Sequence, residues 1–106
     1  MNAKELLNEY LLSGHGSCPG CAMPFIMRTA FHALGERTVV VIAAGCFGVI
    51  SGAFPTSPIK LATYNTPFAS AGAAASGVRA ALDMLGDATT TVLAVAGDGG
   101  TFDIGI

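Results

Sequence analysis

The chain has 106 residues, the length of one small domain by the usual prior of ~100–200 residues per domain. Hydrophobic residues make up 52% and charged residues 11%, with a mean hydropathy of +0.61, where an ordinary soluble domain carries about 25% charge. That composition excludes intrinsic disorder, and 5 Lys+Arg against 7 Asp+Glu without a basic cluster disfavour a nucleic-acid binder. The apolar surface must meet either lipid or other protein.

In chain order, residues 3–12 (AKELLNEYLL) set Leu6, Leu7, Tyr10 and Leu11 on one face and predict a short helix. Lys4, Glu5 and Glu9 interrupt the apolar residues and no cleavage-type site follows, so no secretory leader is read and a cytoplasmic location is expected. The segment SGHGSCPGC, with Gly14, Gly16, Pro19 and Gly20, predicts a loop. Residues 22–34 return to helical spacing, and Gly35 suits a C-terminal cap. Residues 38–44 (TVVVIAA) form a β-branched run without alternation, as expected of a strand buried on both faces. Gly45-Cys46 stands at its end. Residues 46–53 suit a short helix, and residues 54–67, with Pro55, Pro58 and Pro67, read as irregular. Residues 68–85 (FASAGAAASGVRAALDML) predict a buried helix of small residues. Residues 89–96 (TTTVLAVA) predict a second buried strand, followed at once by GDGG at 97–100, and TFDIGI begins another element.

Helix, strand, helix, strand and Gly-rich turn make an α/β pattern with a parallel sheet. Two buried strands are too few for a stable sheet, so the chain is expected to be a piece of a larger protein or to need partners. Residues 38–59 and 61–78 carry no charge, but the first holds Gly45, Gly48, Gly52, Pro55 and Pro58 and the second is mostly small residues, so no membrane span is expected.

Three cysteines in a cytoplasmic chain point to metal or redox chemistry. Cys18 and Cys21, as C-P-G-C, can turn both thiols toward one centre. A zinc site takes four ligands, a thioredoxin-like dithiol follows a strand, and an iron–sulfur cluster takes Cys thiolates; the residues alone leave these open, although no strand is predicted before Cys18. Cys46 is a third thiol, and His15 is a candidate for an unfilled ligand position. In Gly97-Asp98-Gly99-Gly100 the glycines let backbone N–H groups approach phosphate oxygens, and Asp98 suits Mg²⁺. A bare GDG is also an ordinary turn, and G-x-G-x-x-G is not met. Asp103 reads as a helix-start residue, His32 as a packed or surface histidine, and Arg28 and Arg79 as surface salt-bridge residues. Asn65 is a ligand-contact candidate without a spacing argument.

Taken together, SGHGSCPGC, AAGC at 43–46, FASAGAAASGVRAAL and AVAGDGGTFDIG resemble the thiamine-pyrophosphate-binding β subunit of the pyruvate:ferredoxin oxidoreductase group, from Ser13 onward. The resemblance implies a partial thiamine-diphosphate-binding α/β fold, with residues 1–106 as the N-terminal part of that domain, cut after GDGG. It implies that Cys18, Cys21 and Cys46 are ligands of a [4Fe–4S] cluster, that Gly45 and Cys46 lie beside thiamine diphosphate, and that Asp98 binds Mg²⁺ while Gly97, Gly99 and Gly100 cradle the diphosphate. A fourth cluster cysteine and an Asn completing the Mg²⁺ site are expected beyond Ile106. The implied reaction is oxidative decarboxylation of a 2-oxoacid, pyruvate foremost, to acyl-CoA, with electrons passing through the cluster to ferredoxin. No acid/base residue is expected on this chain. The implied partners are α-, γ- and δ-type subunits, ferredoxin, the 2-oxoacid and coenzyme A, with no nucleic acid and no membrane. The stretch YNTPFASAG departs from the family's usual His and Phe-Glu-Asn, which leaves the 2-oxoacid open. A thiamine-dependent decarboxylase or synthase without a cluster and a zinc or dithiol CxxC module are the alternatives.

Overall fold

The computed structural model describes residues 8–106. Helix α1 (Met23–Leu34) leads into strand β1 (Thr38–Ala43), and helix α2 (Cys46–Ser51) follows it. Strand β2 (Ala62–Thr66), helix α3 (Ala71–Met84), strand β3 (Thr91–Val95) and the single turn α4 (Asp98–Phe102) complete the order. The three strands form one sheet in the order β2-β1-β3. Both pairings of β1 are parallel, with Ile42 opposite Asn65 on one side and Val95 on the other.

The reason for this arrangement begins with β1. Val40, Val41 and Ile42 are fully buried, so the strand needs cover on both faces. On one face Val40 and Ile42 pack with Leu11, Met27, Phe31 and Ile50, which brings α1 and α2 to the same side. The chain steps from β1 out to β2 and then back across β1 to β3. Right-handed crossovers in opposite directions place α2 and α3 on opposite faces, and α3 packs on β3 and β1. Each fully buried large apolar side chain contributes about 1.5–3 kcal/mol.

Several expectations need correction. Residues 54–67 are not wholly irregular, because Ala62–Thr66 is a strand. Its sequence, ATYNT, is polar, and all but Thr66 are wholly or partly exposed, so no apolar run announces it. It is held by its backbone ladder to β1. Of the helix expected over residues 3–12, residues 3–7 lie outside the described residues, and residues 8–12 are not helical. There Leu11 forms an antiparallel bridge with Ile59, flanked by Leu12 N–H to the Pro58 carbonyl at 2.8 Å and Lys60 N–H to the Tyr10 carbonyl at 2.9 Å. Burying Leu11 in the core outweighs the local helical spacing. Helix α3 buries only Ala71, and β3 is only partly buried. Asp103 does not start a helix; it is the C-terminal cap of α4. Arg28 reaches back to the Leu11 carbonyl at 3.2 Å rather than to a surface carboxylate.

Parallel pairing puts the C-terminal ends of all three strands on one edge. Helix α1 ends just before β1 begins, and α3 starts just after β2 ends, so both run against the strands and begin on that same edge. At the opposite edge, Asp87 closes the loop from α3 to β3. Its Oδ1 accepts the N–H groups of Thr89 at 2.9 Å and Thr90 at 3.0 Å, and Arg37 pairs with its Oδ2 at 3.2 Å. The Thr90 hydroxyl, then the Thr90 and Thr89 amides, hold the Asp87 carboxyl well below the usual carboxylate range. Arg79 pairs with Asp83 at 2.8 Å and donates to the Thr90 carbonyl at 2.7 Å, locking the same loop.

Candidate functional site

The edge where the strands end gathers most of the residues singled out in the sequence. The C-P-G-C turn lies just before α1. Cys21 N–H donates to the Cys18 carbonyl at 3.1 Å, and Gly20 has φ +80°, which with Pro19 ahead of it fits a type II turn. All three cysteines are free; Cys18 and Cys46 are exposed and Cys21 is half-buried. The Met23 N–H, helped by the Ser17 hydroxyl, lowers the Cys21 thiol from its ordinary value. A low thiol pKa enlarges the thiolate fraction that binds metal or attacks a disulfide.

Gly45, at φ +147°, turns the chain from β1 into α2, and Cys46 is the first residue of that helix. The cysteine loop packs on α2: a Cβ at Gly16 would lie 3.4 Å from the Val49 carbonyl oxygen. His15 sits in this loop and accepts the Ser17 N–H on Nδ1 at 3.4 Å. Among the described residues, no group of three or more His, Cys, Asp or Glu side chains is close enough together to hold a metal ion. The three thiols share an edge but are not gathered around one centre.

Beyond β3, Gly97 caps α4 and Asp98 opens it. The first amide to bond within the turn is Thr101, to the Gly97 carbonyl at 2.9 Å. The amides of Asp98, Gly99 and Gly100 have no partner inside the turn. Phe68, in the loop between β2 and α3, closes over this segment. A Cβ on Gly99 would sit 2.9 Å from the Phe68 ring, and one on Gly100 would sit 3.1 Å from the Phe68 carbonyl oxygen. Gly99 and Gly100 are therefore needed for the close approach of Phe68, and the exposed Asp98 precedes them. Phe68 was not singled out in the sequence as a site residue, and nothing in its local pattern marks it.

Between the ends of β1 and β2 lies a cleft of about 330 Å³, lined by Ala44, Gly45, Gly48, Val49 and Asn65 among others. Asn65 reaches the buried Ser51 hydroxyl at 3.2 Å. Ser51 is a second residue that its sequence context did not flag. A larger cleft, about 550 Å³, is lined by Tyr10, His32 and Glu36. It lies where β1 begins, remote from Cys46 and Asp98. His32 meets Tyr10 there edge to face, with ring centroids 6.0 Å apart, and takes no part in the site. No helix among the described residues is long and apolar enough to cross a membrane.

No family model matches the chain. Among curated proteins, the chain is 41% identical over 98 residues to pyruvate synthase subunit PorB of Methanothermobacter thermautotrophicus, covering 92% of this chain and 34% of that protein. The PorB of Methanosarcina barkeri is 40% identical over 105 residues, covering 98% of this chain and 36% of that protein. Ketoisovalerate oxidoreductase subunit VorB of Pyrococcus horikoshii is 39% identical over 103 residues, covering 92% and 33%. The chain thus spans about a third of the length of the relatives it matches.

Proposed function

Since the chain is homologous to the N-terminal third of the β subunits of 2-oxoacid:ferredoxin oxidoreductases, we propose that it carries part of the thiamine diphosphate site of such an enzyme, with pyruvate as the 2-oxoacid. The observation that supports this most is the convergence on one sheet edge of Gly45-Cys46, at the end of β1, and Gly97-Asp98-Gly99-Gly100, at the end of β3. Open parallel sheets hold ligands at this edge.

The residues fit the cofactor's diphosphate and its Mg²⁺. The amides of Asp98, Gly99 and Gly100 have no partner inside the turn, and Asp98 supplies a carboxylate, the ligand type Mg²⁺ prefers alongside phosphate oxygens. Thiamine diphosphate, when bound, supplies the electron sink for decarboxylation. This chain's share is to hold the diphosphate end through Gly97, Asp98, Gly99 and Gly100, and to present Gly45 and Cys46 beside the ring end. For a [4Fe–4S] cluster the donor chemistry is right in kind, since Cys18, Cys21 and Cys46 are free thiols on one edge. As arranged, the three do not form a metal-holding group, and a fourth ligand is lacking among them. The cluster therefore rests on the homology.

The same reading supplies α-, γ- and δ-type subunits, ferredoxin, coenzyme A and the 2-oxoacid as partners, and a cytoplasmic setting. The test is anaerobic purification of the protein in complex with those subunits. The measurements are iron, sulfide, zinc and bound thiamine diphosphate, with pyruvate-dependent reduction of ferredoxin in the presence of coenzyme A. Zinc without iron would replace this reading with a CxxC binding module. Thiamine diphosphate without iron would point to a decarboxylase-type enzyme.

A further inference from the structure

The cleft between the ends of β1 and β2 is walled almost entirely by small and aliphatic residues. Thr66 spends its hydroxyl on the Ile42 carbonyl, at 3.4 Å. That leaves the Asn65 carboxamide as the free polar side chain lining the cleft. Its orientation follows from Ser51, which is 1% exposed. The Ser51 hydroxyl faces two acceptors, the Gly48 carbonyl at 2.9 Å and the Asn65 Oδ1 at 3.2 Å. The contact holds the carbonyl end of the Asn65 carboxamide, and its NH₂ remains for whatever enters the cleft.

We propose that Asn65 is a substrate-contacting residue, donating a side-chain N–H to an oxygen of the small 2-oxoacid, and that Ser51 is its positioning residue. This rests on the function proposed above. Three observations support it. The cleft, at about 330 Å³, is at the small end of ligand pockets and suits a compact organic acid. It is bounded by Gly45, so it opens beside the segment assigned to the cofactor's ring end. Asn65 stands on β2 directly opposite Ile42 of the fully buried β1, so its backbone is fixed by the ladder and its side chain by Ser51. A donor fixed at both levels loses little entropy on binding.

The experiment uses the complete oxidoreductase complex, with Asn65→Ala and Ser51→Ala. Steady-state kinetics give the KM for pyruvate. Calorimetry gives the Kd for pyruvate on complex loaded with the unreactive thiazolone analogue of thiamine diphosphate. The loss of one hydrogen bond should raise both constants roughly three- to tenfold in Asn65→Ala, and less in Ser51→Ala, with thiamine diphosphate affinity unchanged. Asn65→Asp, which sets a negative charge against the substrate carboxylate, should raise them further than Asn65→Ala. Unchanged KM and Kd in Asn65→Ala, on wild-type complex that oxidises pyruvate, overturn the inference. Thiamine diphosphate affinity falling as much as pyruvate affinity overturns it too, because Asn65 would then serve the cofactor. Wild-type complex that oxidises no 2-oxoacid overturns the function itself, a distinct result.

Discussion

Close packing against a backbone atom makes Gly100→Ala the most informative perturbation of the GDGG segment. A Cβ at Gly100 would lie 3.1 Å from the Phe68 carbonyl oxygen and 3.3 Å from the Ala96 Cβ. The oxygen is backbone, so it cannot swing aside as a side-chain tip can. Forcing a methyl group into a packed site costs about 1–3 kcal/mol, offset by the roughly 0.5–1 kcal/mol that Ala gains over Gly within a helix. The expected loss is therefore about 0–2.5 kcal/mol. Gly97 is the control, because a Cβ there meets nothing within 4 Å and its φ of −73° suits Ala. Gly97→Ala should be neutral or stabilising by about 0.4–1 kcal/mol through the unfolded chain. Gly99→Ala should fall between, since the atom it meets is the tip of the Phe68 ring. Urea titrations followed by far-UV circular dichroism, fitted with a shared slope, give the three differences. A Gly100→Ala variant as stable as Gly97→Ala would show that the segment is not held against Phe68. A Gly100→Ala variant that does lose stability should also weaken thiamine diphosphate binding beyond its stability cost.

Other outcomes can be checked directly. Asp87 has its carboxyl pKa lowered in the folded chain, so its stabilisation is present above the ordinary carboxylate pKa of about 3.9 and is lost as pH falls toward the folded value. Acid titration of stability should therefore be steeper below about pH 4 in the wild type than in Asp87→Asn. Phe31→Ala empties a fully buried position between α1 and β1 and should cost about 3–5 kcal/mol in the same urea assay. Asp98→Ala should leave the melting curve nearly unchanged while abolishing Mg²⁺-dependent retention of thiamine diphosphate, read by gel filtration with and without chelator. Cys18→Ser should lower the iron content of the anaerobic complex; iron unchanged in that variant would remove Cys18 from the ligand set.

Much of the fold is legible in the sequence, for identifiable reasons. Val39, Val40, Val41 and Ile42 announce β1 because a strand buried on both faces has no choice but apolar residues. Gly20 and Gly45 mark turns because their φ values are positive. Strand β2 escaped because an edge strand borrows its conformation from its neighbour: Tyr64 and Asn65 are exposed, and Pro58 and Pro67 flank the region. The alternation of Thr63, Tyr64, Asn65 and Thr66 between faces carried the only local hint. Leu11 escaped for the opposite reason, since its burial comes from Ile59 and the core, far along the chain. Within the site, the cysteines and GDGG were legible as chemistry-bearing types. Phe68 and Ser51 were not, because their roles are contacts to Gly99, Gly100 and Asn65 that only the fold creates.

The parallel register has a consequence in time as well as in space. Thr38 must find Thr91, and Val39 must find Ala62, before Cys46 and Asp98 share an edge. Pairings this distant in sequence form slowly, because loop closure must precede any reward from contacts. The C-P-G-C turn waits for none of them: a single bond between neighbours, Cys21 N–H to the Cys18 carbonyl, closes it. The geometry of the thiol pair is thus set by local contacts, while that of the opposite end of the edge is set by distant ones.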